Sequence, residues 1–141
     1  MSKKCWRRSS RVVIFVDSNV PMYLVGRPHP NRDSVEAFLR SHVEETYVTS
    51  AEVFQEVIHR YVAIDRRAAI DDCFALLDEL VSQVFPVTKS DVDRARQISH
   101  HQHRLSGRDC LHVAVMDRHD VDRILTCDED FDFWATVTRL P

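Results

Sequence analysis

The hydrophobic positions of the chain fall into short apolar runs that alternate with helical stripes. Residues 12–16 are five consecutive apolar residues, mostly β-branched, which is typical of a strand buried on both faces. Shorter runs follow at residues 47–49, 84–87, 124–127 and 136–140, the last as an edge strand. Because helical segments separate these runs, the order predicts an α/β fold in which a mostly parallel sheet is joined by right-handed crossovers.

The segments between the strands carry apolar residues at spacings of three and four. Ser50 is the predicted N-cap of a helix whose core-facing stripe is Val53, Phe54, Val57, Ile58 and Tyr61. Further helices are predicted for residues 33–42 and 66–81, and Ser90 with Asp93 resembles a capping pair for a helix ending near residue 101. The helix after residues 105–109 is apolar on most sides, which indicates burial.

Carboxylates follow two of the predicted strands. Asp17 comes directly after the first strand, and Asp128 follows residues 124–127. The carboxyl ends of parallel strands meet at one rim, where open α/β sheets bind ligands. Glu56 and Asp109 belong to helices that enter from that rim, although periodicity alone does not separate Glu56 from Glu52, one turn earlier on the same side.

Four carboxylates at one rim repel one another, and a hard divalent cation neutralises such a cluster. Oxygen ligands favour Mg²⁺ or Mn²⁺ over zinc, and such a site suits phosphodiester hydrolysis. Structural roles stay open for the individual residues. Asp17 or Asp109 would serve as helix-capping residues, and Glu56 as a salt-bridged helix residue.

Two other patterns resemble metal-binding sites but lack the residues that such sites need. Asp128, Asp130 and Asp132 resemble the opening of a calcium loop, but Phe133 and Arg139 stand where that loop needs Gly and Glu. The histidines near residues 100–103 have no suitably spaced further ligand, so a solvated helix end is the favoured interpretation.

Composition narrows the class further. With 141 residues and a net charge of −3, the chain is too acidic for a general nucleic-acid coat, although a nucleic-acid enzyme with an acidic pocket is allowed. Five of the first eleven residues are basic, which predicts a basic arm at residues 1–11 and a single domain at residues 12–141. The four cysteines are widely spaced, and no stretch has the length of a signal-peptide core or a membrane span. We therefore expect reduced thiols, no membrane partner and a cytoplasmic location.

Four motifs in order carry a family resemblance. They are FVDSN at residues 15–19, Ser50 with Glu56 six residues on, GRDCLHVA at residues 107–114 and LTCDEDF at residues 125–131. Together they resemble the PIN-domain ribonucleases, in particular the toxins of VapBC-type toxin–antitoxin pairs. The resemblance implies a three-layer α/β/α sandwich and a Mg²⁺- or Mn²⁺-dependent endoribonuclease that cuts cellular RNA. It also implies a cognate antitoxin that blocks the acidic pocket, and a homodimer or toxin–antitoxin hetero-oligomer.

The resemblance also assigns roles to residues. Asp17, Glu56, Asp109 and Asp128 form the catalytic and metal-binding set, with Asp130 as a further ligand. Ser18, Asn19 and Thr126 are the supporting polar residues. Independently of the resemblance, Arg104 and Arg108 are candidate RNA contacts because they lie close to Asp109 in the sequence. Two alternatives stay open: a housekeeping PIN-type RNA-processing nuclease and, less favoured, a phosphoacceptor receiver-like module. The receiver needs a lysine on a late strand, and Lys89, the only lysine beyond the arm, precedes the wrong element.

Overall fold

A five-stranded parallel sheet forms the centre of the protein. The computed structural model describes residues 12–141, so the basic arm predicted for residues 1–11 lies outside the described residues. The strands lie in the order β3-β2-β1-β4-β5, and every neighbouring pair is parallel. They are β1 (Val13–Val16), β2 (Thr46–Ser50), β3 (Gln83–Phe85), β4 (Arg123–Leu125) and β5 (Thr138–Leu140).

Helices cover both faces of this sheet. They are α1 (Asn19–Val25), α2 (Pro30–Ser41), α3 (Ala51–Ala63), α4 (Ala68–Leu80), α5 (Lys89–His101) and α6 (Gly107–Arg118), with a short 3₁₀ helix at Glu129–Phe133. The chain passes from β1 to β2 to β3 in one direction and then returns across the sheet to β4. Right-handed crossovers therefore place α1–α4 on one face and α5–α6 on the other. The predicted three-layer α/β/α architecture is confirmed.

The central strand is buried as its sequence predicts. Ile14, Phe15 and Val16 of β1 are at most 1% exposed, because helices cover both faces of the strand. The ladder continues past the end of β1, where the Asp17 backbone N–H donates to the Leu125 carbonyl at 3.1 Å. This bond fixes the position of Asp17 at the rim relative to β4.

Three local predictions were wrong in detail. The capping box of α5 is formed by Thr88 and Asp91, not by Ser90 and Asp93, because the helix begins at Lys89. Ser50 does occupy the N-cap of α3, but its buried hydroxyl makes no hydrogen bond within residues 12–141. Ile58 is 40% exposed and so lies outside the core stripe of α3.

Two helices end in a left-handed residue that is not glycine. Asp65 after α3 and Asp120 after α6 both have φ of 55°. After α3, the Arg66 N–H donates to the Tyr61 carbonyl at 2.8 Å and the Asp65 N–H donates to the Val62 carbonyl at 3.1 Å. This is the Schellman pattern, which satisfies the last carbonyls and reverses the chain.

Two findings concern membrane-spanning helices and the cysteines. No helix within residues 12–141 is long and apolar enough to span a bilayer. In the same part of the chain, Cys73, Cys110 and Cys127 are free thiols, and Cys73 and Cys110 are buried.

Candidate active site

The candidate site lies where the sheet connections change direction. From β1 the chain leaves toward β2, whereas β4 lies on the other side of β1. In open α/β sheets a crevice forms at such a point, beyond the carboxyl ends of the strands. Asp17 follows β1 directly, and Thr126 follows β4 directly. The topology therefore brings these two chain segments together from 109 positions apart.

Thr126 holds Asp17 in place. Its hydroxyl donates to Asp17 Oδ2 at 2.7 Å and accepts from Asn19 Nδ2 at 2.9 Å and from the Asp128 backbone N–H at 3.0 Å. Asn19 Oδ1 in turn accepts from the Cys127 backbone N–H at 3.2 Å. The Ser18 backbone N–H donates to the other Asp17 oxygen, Oδ1, at 2.7 Å. Both oxygens of this carboxylate are thus held by hydrogen bonds, and the side chains of Asn19 and Thr126 belong to the same network.

Glu56 reaches the same point from the second turn of α3. It is 8% exposed, and its Oε1 contacts Nε2 of His112, a histidine of α6 with no exposed surface. The same His112 nitrogen lies 3.7 Å from Asp17 Oδ1, and the Ser18 hydroxyl donates to Glu56 Oε2 at 3.4 Å. The structure separates Glu56 from Glu52, which is partly exposed and outside this group.

Asp109 is positioned by the start of α6. It occupies position N3 of the helix and completes a capping box with Ser106 at the N-cap. The Ser106 hydroxyl accepts from the Asp109 N–H at 3.1 Å, and Asp109 Oδ2 accepts from the Ser106 N–H at 3.2 Å. Asp109 is therefore a capping residue as well as a member of the candidate site. Its side chain is buried beside Asp17 and Asp128, whose charges act on it.

The remaining predicted residues lie around this centre. Asp128 caps the 3₁₀ helix, since its Oδ1 accepts from the Asp130 N–H at 2.9 Å. The Asp130 side chain is 46% exposed and lies 3.9 Å from Arg104, whose guanidinium stacks over Phe133. Arg108 Nη1 lies 3.8 Å from Glu56 Oε2 with its side chain half exposed.

Burial and like charge oppose ionisation of Asp17 and Asp109. Burial raises the pKa of Asp17, and the charge of Glu56 adds to it, against the opposing effects of His112 and of the Thr126 hydrogen bond. Burial and the charges of Asp17 and Asp128 raise the pKa of Asp109 to about 6. Negative charge is therefore concentrated here beyond what the protein itself neutralises.

His112 responds in the opposite sense. Burial lowers its pKa, but the hydrogen bond with Glu56 and the charges of Asp17, Glu56 and Asp109 outweigh burial, so that the pKa of His112 is raised. Its Nδ1 is buried and has no hydrogen-bond partner within residues 12–141. A cationic ring would leave an Nδ1–H donor unsatisfied, whereas a neutral ring that donates from Nε2 leaves only a lone pair unsatisfied.

The donor set fits a metal ion. Oxygens of Asp17 and Glu56 and Nε2 of His112 all lie within 4.8 Å of one another in a buried position. Because Nε2 of a neutral His112 donates to Glu56, the carboxylates are the candidate ligands and His112 holds one of them. Asp109 and Asp128 add carboxylates at the border of the group. A bound cation would stabilise the ionised forms of Asp17 and Asp109, whose pKa values are raised, because it supplies positive charge next to them.

Sequence reasoning missed His112. The residue lies inside the 107–114 motif, but the helix around it is apolar on most sides, and no role in the site was predicted for it. One signal was available: His112 stands three residues after Asp109, so both occupy one face of the helix.

Known proteins match this chain over most of its length. The family model described as PIN domain matches residues 14–134. The chain is similar to Ribonuclease VapC13 of Mycobacterium tuberculosis, with 45% identity over 130 residues that cover 91% of this chain and 99% of the relative.

Solved structures share the fold. The crystal structure of VapC20 from Mycobacterium tuberculosis, titled a sarcin-ricin loop cleaving toxin, superposes with a TM-score of 0.69 at 23% identity and covers 84% of this chain and 92% of that one. VapBC2 of Rickettsia felis, bound to a DNA fragment from its promoter, superposes with a TM-score of 0.70 at 11% identity and covers 91% and 97%.

Proposed function

The chain belongs to the PIN domain family, and we propose that it is a metal-dependent endoribonuclease that acts in the cytoplasm as the toxin of a toxin–antitoxin pair. The observation that carries this proposal is the buried group formed by Asp17, Glu56 and His112 at the carboxyl ends of the central strands. A relative that is 45% identical over nearly its whole length is named a ribonuclease, which supports RNA as the substrate.

Asp17, Glu56, Asp109 and Asp128 would hold Mg²⁺ or Mn²⁺, with Asp130 at the edge of the site. A bound divalent ion supplies an activated water, a grip on the scissile phosphate and stabilisation of the leaving oxygen. The protein's own groups set the geometry in which this occurs. Thr126 and Asn19 orient one oxygen of Asp17, and the capping box holds Asp109 at the start of α6.

His112 has a positioning role in this proposal. Its Nε2 contacts one oxygen of Glu56, while Ser18 and Arg108 face the other oxygen at 3.4 and 3.8 Å. Glu56 is thereby restrained although α3 and α6 belong to different layers of the sandwich. Arg108, half exposed beside Glu56, would contact a phosphate that enters the site.

A cognate antitoxin is the proposed protein partner. VapBC2 of Rickettsia felis, which shares this fold, was solved on promoter DNA. We expect this chain to form a homodimer or a hetero-oligomer with its antitoxin, and light scattering of the chain alone and of the co-expressed pair measures which assembly forms.

The test is cleavage of defined structured RNAs by the purified protein with Mg²⁺, with Mn²⁺ or with EDTA. We expect Asp17→Asn to abolish cleavage and EDTA to stop the wild type. Asp117→Asn is the matched control, because it makes the same chemical change at the exposed end of α6, where Arg94 is the one ion-pair partner of Asp117 within residues 12–141. Equal cleavage by wild type and Asp17→Asn, or indifference to metal, would refute the mechanism.

A toxin and a housekeeping nuclease differ in their effect on the cell. Induced expression of the wild type without an antitoxin is expected to arrest growth, whereas Asp17→Asn is not. Unimpaired growth with an active, soluble enzyme would favour the RNA-processing role.

A further inference from the structure

A groove opens at the acidic cluster and extends away from it along α1 and the second half of α3. Its volume is about 820 Å³, within the range of about 300–1,000 Å³ that is typical of ligand pockets. At one end it is lined by Ser18, Asn19, Glu56 and Arg108 of the candidate site. The groove and the site therefore form one continuous surface.

Arginines dominate the charge of this groove. Arg27, Arg60 and Arg66 line it together with Arg108, whereas Glu56 is the only carboxylate in its lining. Within residues 12–141, no ion pair joins Arg27, Arg60 or Arg66 to an acidic side chain. These three guanidinium groups are exposed and available to an anion.

The chain reversal after α3 brings Arg66 back to the groove that Arg60 also lines. Asp65 takes a left-handed conformation after α3, and the chain reversal that follows returns Arg66 toward Tyr61. Arg60, Tyr61 and Arg66 all line the groove. Burial raises the pKa of Tyr61 to about 12, and the charges of Arg66 and Arg60 oppose that rise. A separate part of the groove holds the rings of Tyr23 and His29, whose centroids are 5.0 Å apart.

We propose that this groove binds a single-stranded stretch of the RNA substrate next to the bond that is cut, with phosphates on Arg27, Arg60 and Arg66 and a base against Tyr23 and His29. The proposal rests on the proposed ribonuclease activity, since the acidic end of the groove is where cleavage would occur. Basic side chains that follow the backbone, together with aromatic rings that stack on bases, are the general chemistry of single-strand binding. The acidic protein as a whole concentrates this positive charge in one place, which would direct a nucleic acid there.

A protein segment with acidic and apolar side chains is the rival occupant. The ratio of four arginines to one carboxylate favours a polyanion, because a backbone phosphate is present at every nucleotide. Binding of a peptide with alternating Asp and Leu residues tests whether such a protein segment occupies the groove.

Binding is measured by fluorescence anisotropy with Asp17→Asn protein, which separates binding from cleavage. The probe is a labelled single-stranded RNA of about twelve nucleotides with mixed sequence, compared with the same RNA as a duplex. The groove variant is Arg60→Gln with Arg66→Gln, and the matched control is Arg40→Gln with Arg96→Gln, which removes the same charge from exposed sites outside the groove lining.

We expect the groove variant to bind the single strand about tenfold more weakly than the control does. Its slope of log affinity against log salt should fall by about 1.4, which is about 0.7 for each lost phosphate contact with a single strand. Tyr23→Ala should weaken binding while Tyr23→Phe retains it, because both Tyr and Phe can stack on a base. In the catalytically intact protein the same arginine changes should raise KM and leave kcat nearly unchanged.

Equal affinity and salt slope for the groove variant and the control would overturn the proposal, as would a preference for the duplex. Groove-dependent binding of the Asp-Leu peptide without groove-dependent RNA binding would make the groove a protein-docking surface instead. If Asp17-dependent cleavage is observed while the groove variant keeps a normal KM, only this inference fails. If groove-dependent binding is observed without any cleavage, the proposed function fails and the nucleic-acid site stands.

Discussion

Asp91 and Asp109 have the same local role but should respond oppositely to the same substitution. Each occupies position N3 of its helix and completes a capping box, Asp91 on α5 and Asp109 on α6. Asn retains an acceptor oxygen for this role. The two side chains differ in what the fold packs against them: Arg118 makes two hydrogen bonds to Asp91, at 2.7 and 2.9 Å, whereas Asp109 faces the charges of Asp17 and Asp128. Asp109→Asn should therefore stabilise the metal-free protein, and Asp91→Asn should destabilise it.

The magnitude for Asp109 follows from its pKa. A rise from the ordinary value of 3.8 to about 6 is about two units at about 1.4 kcal/mol each, or about 3 kcal/mol of unfavourable free energy when the group is ionised. Because the folded pKa lies above the unfolded one, the cost is absent below the unfolded value, grows as the pH rises toward 6 and is complete above 6. Asp109→Asn should raise the free energy of unfolding by up to about 3 kcal/mol near pH 7.5 and by little near pH 4.

Asp91 has the opposite sign. The hydrogen bonds from Arg118 lower its pKa, and they outweigh its burial. The stability that this carboxylate contributes is present above its unfolded pKa and is lost as the pH falls through the lower, folded value. Asp91→Asn should cost about 1.5–3 kcal/mol near pH 7.5, which is typical of hydrogen bonds to a charged group.

The assay is urea denaturation followed by circular dichroism, in EDTA, near pH 4, 6 and 7.5. In saturating Mn²⁺ the advantage of Asp109→Asn should largely disappear, because the wild type gains about 2.7 kcal/mol at one hundred times its Kd and the variant gains less. Destabilisation of the metal-free protein by both substitutions would refute the reasoning. So would a stabilisation at Asp109 that does not depend on pH, since it could not come from the ionised carboxylate.

Two further outcomes are expected. His112→Leu should destabilise the metal-free protein by about 3–5 kcal/mol, because Glu56 is left buried without its partner. Glu56→Gln added to it should recover most of that loss in urea denaturation, and additive effects of the two changes would show that the contact carries no energy. Asp65→Gly should raise the free energy of unfolding by about 0.5–1 kcal/mol because its φ of 55° suits glycine. Asp72→Gly, within α4, should instead lower it by about 1 kcal/mol, and a fall in Tm at both positions would contradict the role of the left-handed conformation.

The strand-helix alternation and the rim carboxylates could be read from the sequence because each depends on neighbouring residues. An apolar run that ends at Asp17 indicates a buried strand whatever lies elsewhere, and the order of such runs restricts the connections to a few topologies. Local reasoning failed in two details. The N-cap of α5 is Thr88 and not Ser90, because the helix begins earlier than predicted. Ile58 is exposed although α3 begins where predicted, because spacing along the chain does not fix how much of an apolar stripe the fold covers.

What the sequence determined by itself was the parallel sheet and the identity of its acidic rim. What only the tertiary structure decided was the surroundings of each charge. His112 contacts Glu56 because α3 and α6, from opposite layers, converge at one rim. Arg27 and Arg108, which are far from Arg60 and Arg66 in the sequence, line the same groove with them. Asp91 and Asp109 occupy equivalent capping positions, yet Asp91 is hydrogen-bonded to Arg118, whereas Asp109 lies beside two other carboxylates. Electrostatic interactions depend on distance in space and on burial, and neither of these is encoded in the spacing of residues along the chain.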